Sequence, residues 1–228
     1  MTVPENPPGF VVRTEAQKAA SDNGYRLERG AEAGWLHYAS TTAPDSIWIA
    51  GCPPRGPWYL SIDHSGVADE IGALPALRTA GPGLVTFVLD TTEQLHAALD
   101  RVYRLAVSLP DAPLTRFRAK TASLPQSTEA ERLVVQRIGQ NIFRDALMDY
   151  WGGRCPLTGI TEPALLRASH IVPWVEWGDE QRLDVHNGLL LSALWDAAFD
   201  KGLVQLRRRR QCAGKSAPHC GCPHCARY

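Results

Sequence analysis

Apolar residues recur along this chain in two rhythms. In the first hundred positions they come in short runs, Trp35–Ala39, 47–50, Trp58–Ile62 and 84–89, separated by Gly, Pro, Ser and Asp. Runs of that length bounded by turn residues predict strands, and the short links make them antiparallel neighbours. The run 84–89 reads as a strand buried on both faces. A short helix over 14–23, stopped by Gly24, precedes the strands, and residues 1–12 form a proline-rich, weakly ordered lead. Beyond position 90 the rhythm becomes helical. Leu95, Leu99 and Val102 repeat at helical spacing, with Ala98 and Leu105 widening the stripe, behind the capping residues Asp90, Thr91 and Thr92. Thr91 with Gln94 matches a capping box. Helix, strands and helix in that order predict a small α+β domain over residues 1–110.

Between 108 and 126 large apolar residues thin out, while prolines and the basic Arg116, Arg118 and Lys120 enter. That is linker composition, so residues 111–126 are expected to separate the first domain from a second over 127–206. The second opens on a helix with the capping signature Ser127-Thr128-Glu129-Ala130-Glu131. Its stripe of Leu133, Val134, Ile138, Ile142, Leu147 and Met148 runs to about Tyr150, and Gly152 and Gly153 end it. Arg137 and Arg144 fall on its polar side, where a solvated face and contact with a phosphate backbone are equally good explanations. Cys155-Pro156-Leu157-Thr158-Gly159 reads as a turn. A short strand over 165–168 then brings Ser169-His170-Ile171 to its edge, and a helix is expected over 189–200.

Composition narrows the classes. The chain has 228 residues with 24 basic and 24 acidic side chains, so no net charge draws it toward nucleic acid or an anionic membrane. The region from Glu131 to Arg210 is nearly balanced as well. Neutrality argues against a dedicated high-affinity DNA binder and leaves room for an enzyme that touches a few phosphates. No apolar run is long enough to span a bilayer, and MTVPENPPGF lacks the basic start and apolar core of a secretory signal. A cytoplasmic protein is expected, with Cys52 and Cys155 as free thiols.

Candidate chemistry gathers between Arg167 and Leu203. A histidine at a strand end, His170, is followed by Asn187 and by Asp196 and Asp200, four residues apart and so on one face of a helix. These are parts for metal-assisted phosphodiester hydrolysis. The sequences RIGQNIFRDALMDYWGGRCPLTGI, LLRASHIVPW and RLDVHNGLLLSALWDAAFDKGL resemble the HNH endonuclease family, in its bacterial branch of restriction-type endonucleases, over residues 127–204. The resemblance implies a ββα-metal fold in which two short antiparallel strands and a helix hold a divalent ion. It gives His170 the role of general base and Asn187 that of bracing the loop and orienting that histidine. The third motif position, usually histidine, is Asp196 here, with Asp200 as a second oxygen ligand. Two hard carboxylates suit Mg²⁺ or Mn²⁺ better than Zn²⁺. Many relatives have a further ligand just before the base; this chain has Ser169. DNA is the implied partner, with Arg137, Arg144, Arg167 and Arg182 as phosphate contacts, and a homodimer is one way to cut both strands. A catalytically weak DNA-binding module is the first rival. The second is a sensor whose N-terminal domain binds a protein or small molecule and gates the other half.

The loop 173–180 carries Trp174 and Trp177 for packing and is acidic, through Glu176, Asp179 and Glu180. Residues 207–228 change composition to Arg, Cys, His and Pro. Cys222 and Cys225 have a chelating spacing, and with Cys220 they could hold a structural Zn²⁺. No second well-spaced pair accompanies them, so a disordered or frame-shifted tail is the favoured expectation. In the first hundred residues His37, His64 and His96 are scattered, and Trp35, Trp48 and Trp58 are expected to pack a core.

Overall fold

The computed structural model describes residues 4–52, 57–71, 76–77, 81–125, 127–172 and 178–204. Helix α1 (Phe10–Asp22) leads into strands β1 (Leu27–Glu32), β2 (Trp35–Ala39), β3 (Ser46–Gly51) and β4 (Trp58–Ile62). A short helix α2 (Ser65–Glu70), strands β5 (Ala76–Leu77) and β6 (Val85–Leu89), and the long helix α3 (Thr92–Ser108) follow. The strands form one antiparallel sheet in the order β1-β2-β3-β4-β6-β5. Strand alternation sends Leu36, Tyr38, Ile47, Ile49, Leu60, Phe87 and Leu89 to one face, where α1 and α3 close a core with Ala16, Leu95, Leu99 and Val102. On the other face Trp35, Ala50, Cys52 and Tyr59 make a smaller cluster.

The strands at Trp35, Ile47, Trp58 and Val85 lie where the short apolar runs place them, although Val85 and Val88 are only half-buried. Strand β1 escapes that pattern because all six of its residues are exposed. It is an edge strand and has no apolar face to advertise. Helix α1 begins four residues earlier than its pattern suggests, inside the proline-rich lead.

One buried polar pair sits inside the first core. The Tyr25 hydroxyl donates to Asp45 Oδ2 at 2.9 Å, and burial pushes the Asp45 carboxyl up to about 6. A carboxyl raised in the folded state adds stability that is complete below its unfolded value of 3.8 and is lost as pH rises through about 6. Tyr25→Phe leaves the carboxylate without its donor, so it costs about 1–3 kcal/mol at pH 7.5. Urea unfolding at the two pH values should show a smaller cost at pH 5, where Asp45 is mostly protonated.

Residues 111–126, expected as a linker, contain a helix, α4 (Asp111–Thr121), which buries Pro113, Phe117 and Thr121 and packs on the next helix, α5 (Glu129–Tyr150). The residues that look like linker composition are helix-end chemistry. Asp111 and Pro113 suit a first turn, and Arg118 and Lys120 suit a last turn facing the negative end of the helix dipole. Helix α5 opens on the expected capping box, with Thr128 as cap and Glu131 reaching back to it. Its burial begins only at Gly139: Leu133 and Val134, counted into the apolar stripe, are 58% and 53% exposed because the first turns of α5 project beyond the second core. After Tyr150 the left-handed Gly152 and Gly153 stop the helix, with the Gly153 amide donating to Met148 O at 2.7 Å. The second core unites Phe117, Ile142, Phe143, Ala146, Leu147, Cys155, Leu166, Leu183, Val185 and Leu190. Tyr150 packs against both this core and the first. Cys52 and Cys155 are buried, and among the described residues neither forms a disulfide.

Candidate active site

Strand β7 (Leu166–His170) pairs antiparallel with β8 (Gly188–Ser192), Leu166 opposite Ser192 and His170 opposite Gly188. A short helix α6 (Asp179–Arg182) lies between the two strands, and from Ser192 the chain turns directly into α7 (Ala193–Asp200). The helix expected over 189–200 is therefore strand in its first third, up to Ser192. A run of Leu189-Leu190-Leu191 fits either period, and pairing with β7 decides it. Alternation along the hairpin separates two faces. Leu166, Ala168, His170 and Leu190 look toward α5, and Ser169, Leu189 and Leu191 look toward α7.

His170 stands at the strand end between two restraints. Its ring lies flat on Phe143 of α5, with centroids 3.8 Å apart and 14° between planes. Its Nε2 is 2.9 Å from the carbonyl oxygen of Arg182. A carbonyl only accepts, so Nε2 carries the hydrogen, and the neutral ring keeps its lone pair on Nδ1. Burial pushes its pKa below histidine's ordinary range, and the Arg182 carbonyl only partly offsets that. That direction favours the neutral imidazole.

Asn187 holds the loop that carries this arrangement. Its Oδ1 accepts the Val172 amide at 3.0 Å, its Nδ2 donates to Gln181 O at 3.3 Å, and its carbonyl accepts the Ile171 amide at 2.9 Å. One side chain thus ties both ends of the excursion between the strands. Gly188, next in the chain, is extended and needs no special backbone. A Cβ there would meet Phe143 Cζ at 2.6 Å and Leu147 Cδ1 at 2.9 Å, so the absent side chain is what lets the ring beneath His170 sit against the strand.

On the opposite face, the buried Ser169 hydroxyl donates to Asp196 Oδ1 in the first turn of α7. Asp200 is exposed at the end of that helix. Among the described residues no three His, Cys, Asp or Glu side chains converge on one point.

The four arginines divide. Arg137 is exposed on α5. Arg144 spends its guanidinium on the carbonyls of Leu166 and Pro163, both at 2.8 Å, and so anchors β7 to α5. Arg167 is exposed, with Nη1 on Ala164 O at 2.8 Å. Arg182 gives its carbonyl to His170 and its Nη1 to Asp179 at 3.5 Å. Trp174, Trp177, Glu176, Arg207–Arg210, Cys220, Cys222 and Cys225 lie outside the described residues.

A hairpin whose end bears a neutral histidine, a bracing asparagine, and a following helix with a carboxylate facing the hairpin form one ββα unit. Residues 155–207 match the family model of HNH endonucleases. The match spans the whole ββα unit and starts at the Cys155 turn. No curated protein matches the chain at a significant level. The HNH match points to nuclease activity on DNA and to the divalent metal that such nucleases typically use. Among the described residues no helix is long and apolar enough to cross a membrane.

Sequence reasoning missed Phe143 and the Arg182 carbonyl as the supports of His170. Phe143 sits in α5, 27 residues before the histidine, where it is one more apolar residue in a helical stripe. The Arg182 contact is made by backbone and leaves no trace in residue type.

Proposed function

We propose that this chain is a metal-dependent endonuclease that hydrolyses DNA phosphodiester bonds with His170 as general base. The observation that carries the reading is the placement of His170 at the strand end, stacked on Phe143 and 2.9 Å from Arg182 O, within a region that matches HNH endonucleases. Nδ1 of that ring takes a proton from water as the water oxygen attacks phosphorus and the bond to the 3′-oxygen breaks. Asn187 keeps the loop closed so that the imidazole does not drift during this step. Exposed Arg137 and Arg167 are the better placed of the four arginines for DNA phosphates. Arg144 serves the fold.

The donor set fits a hard ion held by few protein ligands. The Asp196 carboxylate is the principal one, oriented by Ser169, and Asp200 lies one helical turn on. Mg²⁺ and Mn²⁺ accept such a site because they keep several waters and bind phosphate oxygens directly. When bound, the ion supplies charge to the phosphate and to the departing oxygen. Asp196→Asn should raise the Mn²⁺ concentration needed for half-maximal plasmid nicking by about tenfold or more, in line with the loss of a charged ligand. An unchanged metal titration would remove Asp196 from the site.

A second reading has one observation in its favour. Ser169 donates a hydrogen bond to Asp196 in the place where a further ligand is expected, which leaves the site sparse. A DNA-binding module with little or no activity would retain DNA without cleaving it at any metal concentration.

A further inference from the structure

Outside the ββα unit, one side chain of the N-terminal part reaches the turn that precedes β8. Glu70, the last residue of α2, places Oε1 2.9 Å from His186 Nε2, and its Oε2 accepts the Tyr150 hydroxyl at 3.0 Å. The other ring nitrogen of His186, Nδ1, is 2.8 Å from Asp184 Oδ1. That oxygen also accepts the His186 backbone amide at 2.8 Å, so Asp184 shapes the turn and the ring together. Tyr150 meets the His186 ring edge-on, with centroids 5.8 Å apart. With a carboxylate on each nitrogen, both nitrogens must donate, and only the imidazolium can do that. Burial alone would lower the His186 pKa, but the Glu70 hydrogen bond and the Asp184 and Glu70 charges outweigh it and raise the value.

The neighbour of His186 is Asn187, which ties the loop to Val172 and Gln181, and Gly188 then pairs with His170. A contact across 116 residues of sequence thus ends one residue from the brace of the candidate active site. We propose that Glu70 is a positioning residue for this site, holding His186 and Tyr150 so that the Asp184–Asn187 turn, and through it His170, keeps its working geometry. The proposal rests on the nuclease reading.

Among the described residues, the charged and titratable groups around His186 are Glu70 from α2, Asp184 from its own turn and Tyr150 from α5. On α3, Arg101 and Arg104 share a cavity with Glu70: Arg101 donates to the Glu70 carbonyl at 3.4 Å, and Arg104 pairs with Asp100 at 2.9 Å. Because the His186 pKa is raised, the clamp is complete below histidine's ordinary 6.5 and is lost as pH rises through the raised value. The base needs the opposite change, since His170 must be neutral. Nicking should therefore follow a bell, with His170 setting the acid limb and His186 the alkaline one.

The test uses the full chain, supercoiled plasmid with Mn²⁺, and histidine NMR titration of wild type, Glu70→Gln and Glu70→Asp. Glu70→Gln keeps the size and removes the charge. It should lower kcat about tenfold to a hundredfold, the scale of a small misplacement of a reacting group, with KM for DNA within about twofold. Its alkaline limb and the NMR pKa of His186 should fall together, and Glu70→Asp should recover part of both. A Glu70→Gln protein that lowers the His186 pKa yet nicks with wild-type kcat and pH profile would overturn the proposal. So would a His186 pKa that does not move. If wild type nicks no DNA, the nuclease reading fails. The NMR titration still judges the clamp: a drop in the His186 pKa together with shifts of the Asn187 and His170 resonances sustains it, and unmoved resonances refute it.

Discussion

His170→Ala lowers metal-dependent nicking by about a hundredfold to ten-thousandfold, the range ascribed to a general base, while the circular-dichroism spectrum stays that of the wild type. The side chain lies at the end of β7, where its ring stacks on Phe143 and its Nε2 donates to the Arg182 carbonyl. His170→Gln, which keeps a donor for Arg182 O, should fold at least as well and be similarly inactive, since an amide takes no proton near neutral pH. The pH profile adds a sign. Burial lowers the His170 pKa, so the wild-type rate falls on the acid side only below histidine's ordinary 6.5. A profile that begins to fall well above that value would place the acid limb on another group.

Phe143→Ala should cost about 3–5 kcal/mol, the usual penalty for emptying a buried phenylalanine site. Phe143 is 1% exposed and belongs to the second core, together with Leu147, Leu166 and Leu190. Denaturant unfolding would show the loss as a lower midpoint with an unchanged slope. Phe143→Leu separates the two duties of this residue. It keeps most of the apolar volume but removes the flat ring beneath the imidazole, so it should lose less stability than alanine yet still slow nicking. Equal activity in Phe143→Leu and wild type would show that the stacked ring is packing alone.

These expectations mark where sequence was informative and where it was not. His170 and Asn187 are proposed from motif order and residue type, and the fold sets them at the two ends of one loop, His170 closing β7 and Asn187 preceding β8. The strands at Trp35 and Trp58 could be bounded to the residue because each is a buried run between turn residues. Strand β1 could not, because an exposed edge has no apolar period. The Leu189–Leu191 run reads as helix in sequence and is strand in the fold, because three consecutive leucines satisfy both periods until a partner strand is known. Helix α4 was hidden by composition: its prolines and arginines do at helix ends what they also do in linkers. Arg144 illustrates a different limit. An arginine on a polar helix face looks the same in sequence whether it meets a phosphate or, as here, two carbonyls of the adjacent chain. Glu70 was beyond reach altogether, since nothing in residues 65–70 distinguishes a carboxylate that closes on His186 from one in solvent.

Plasmid nicking by the purified full chain tests most directly whether His170 acts in a metal-dependent cleavage. Supercoiled DNA is incubated with wild type and with His170→Ala, each with Mg²⁺ or Mn²⁺ and each with EDTA. The prediction is nicked circles from wild type with metal, and from neither the variant nor the EDTA samples. Nicking that survives both EDTA and His170→Ala would contradict it.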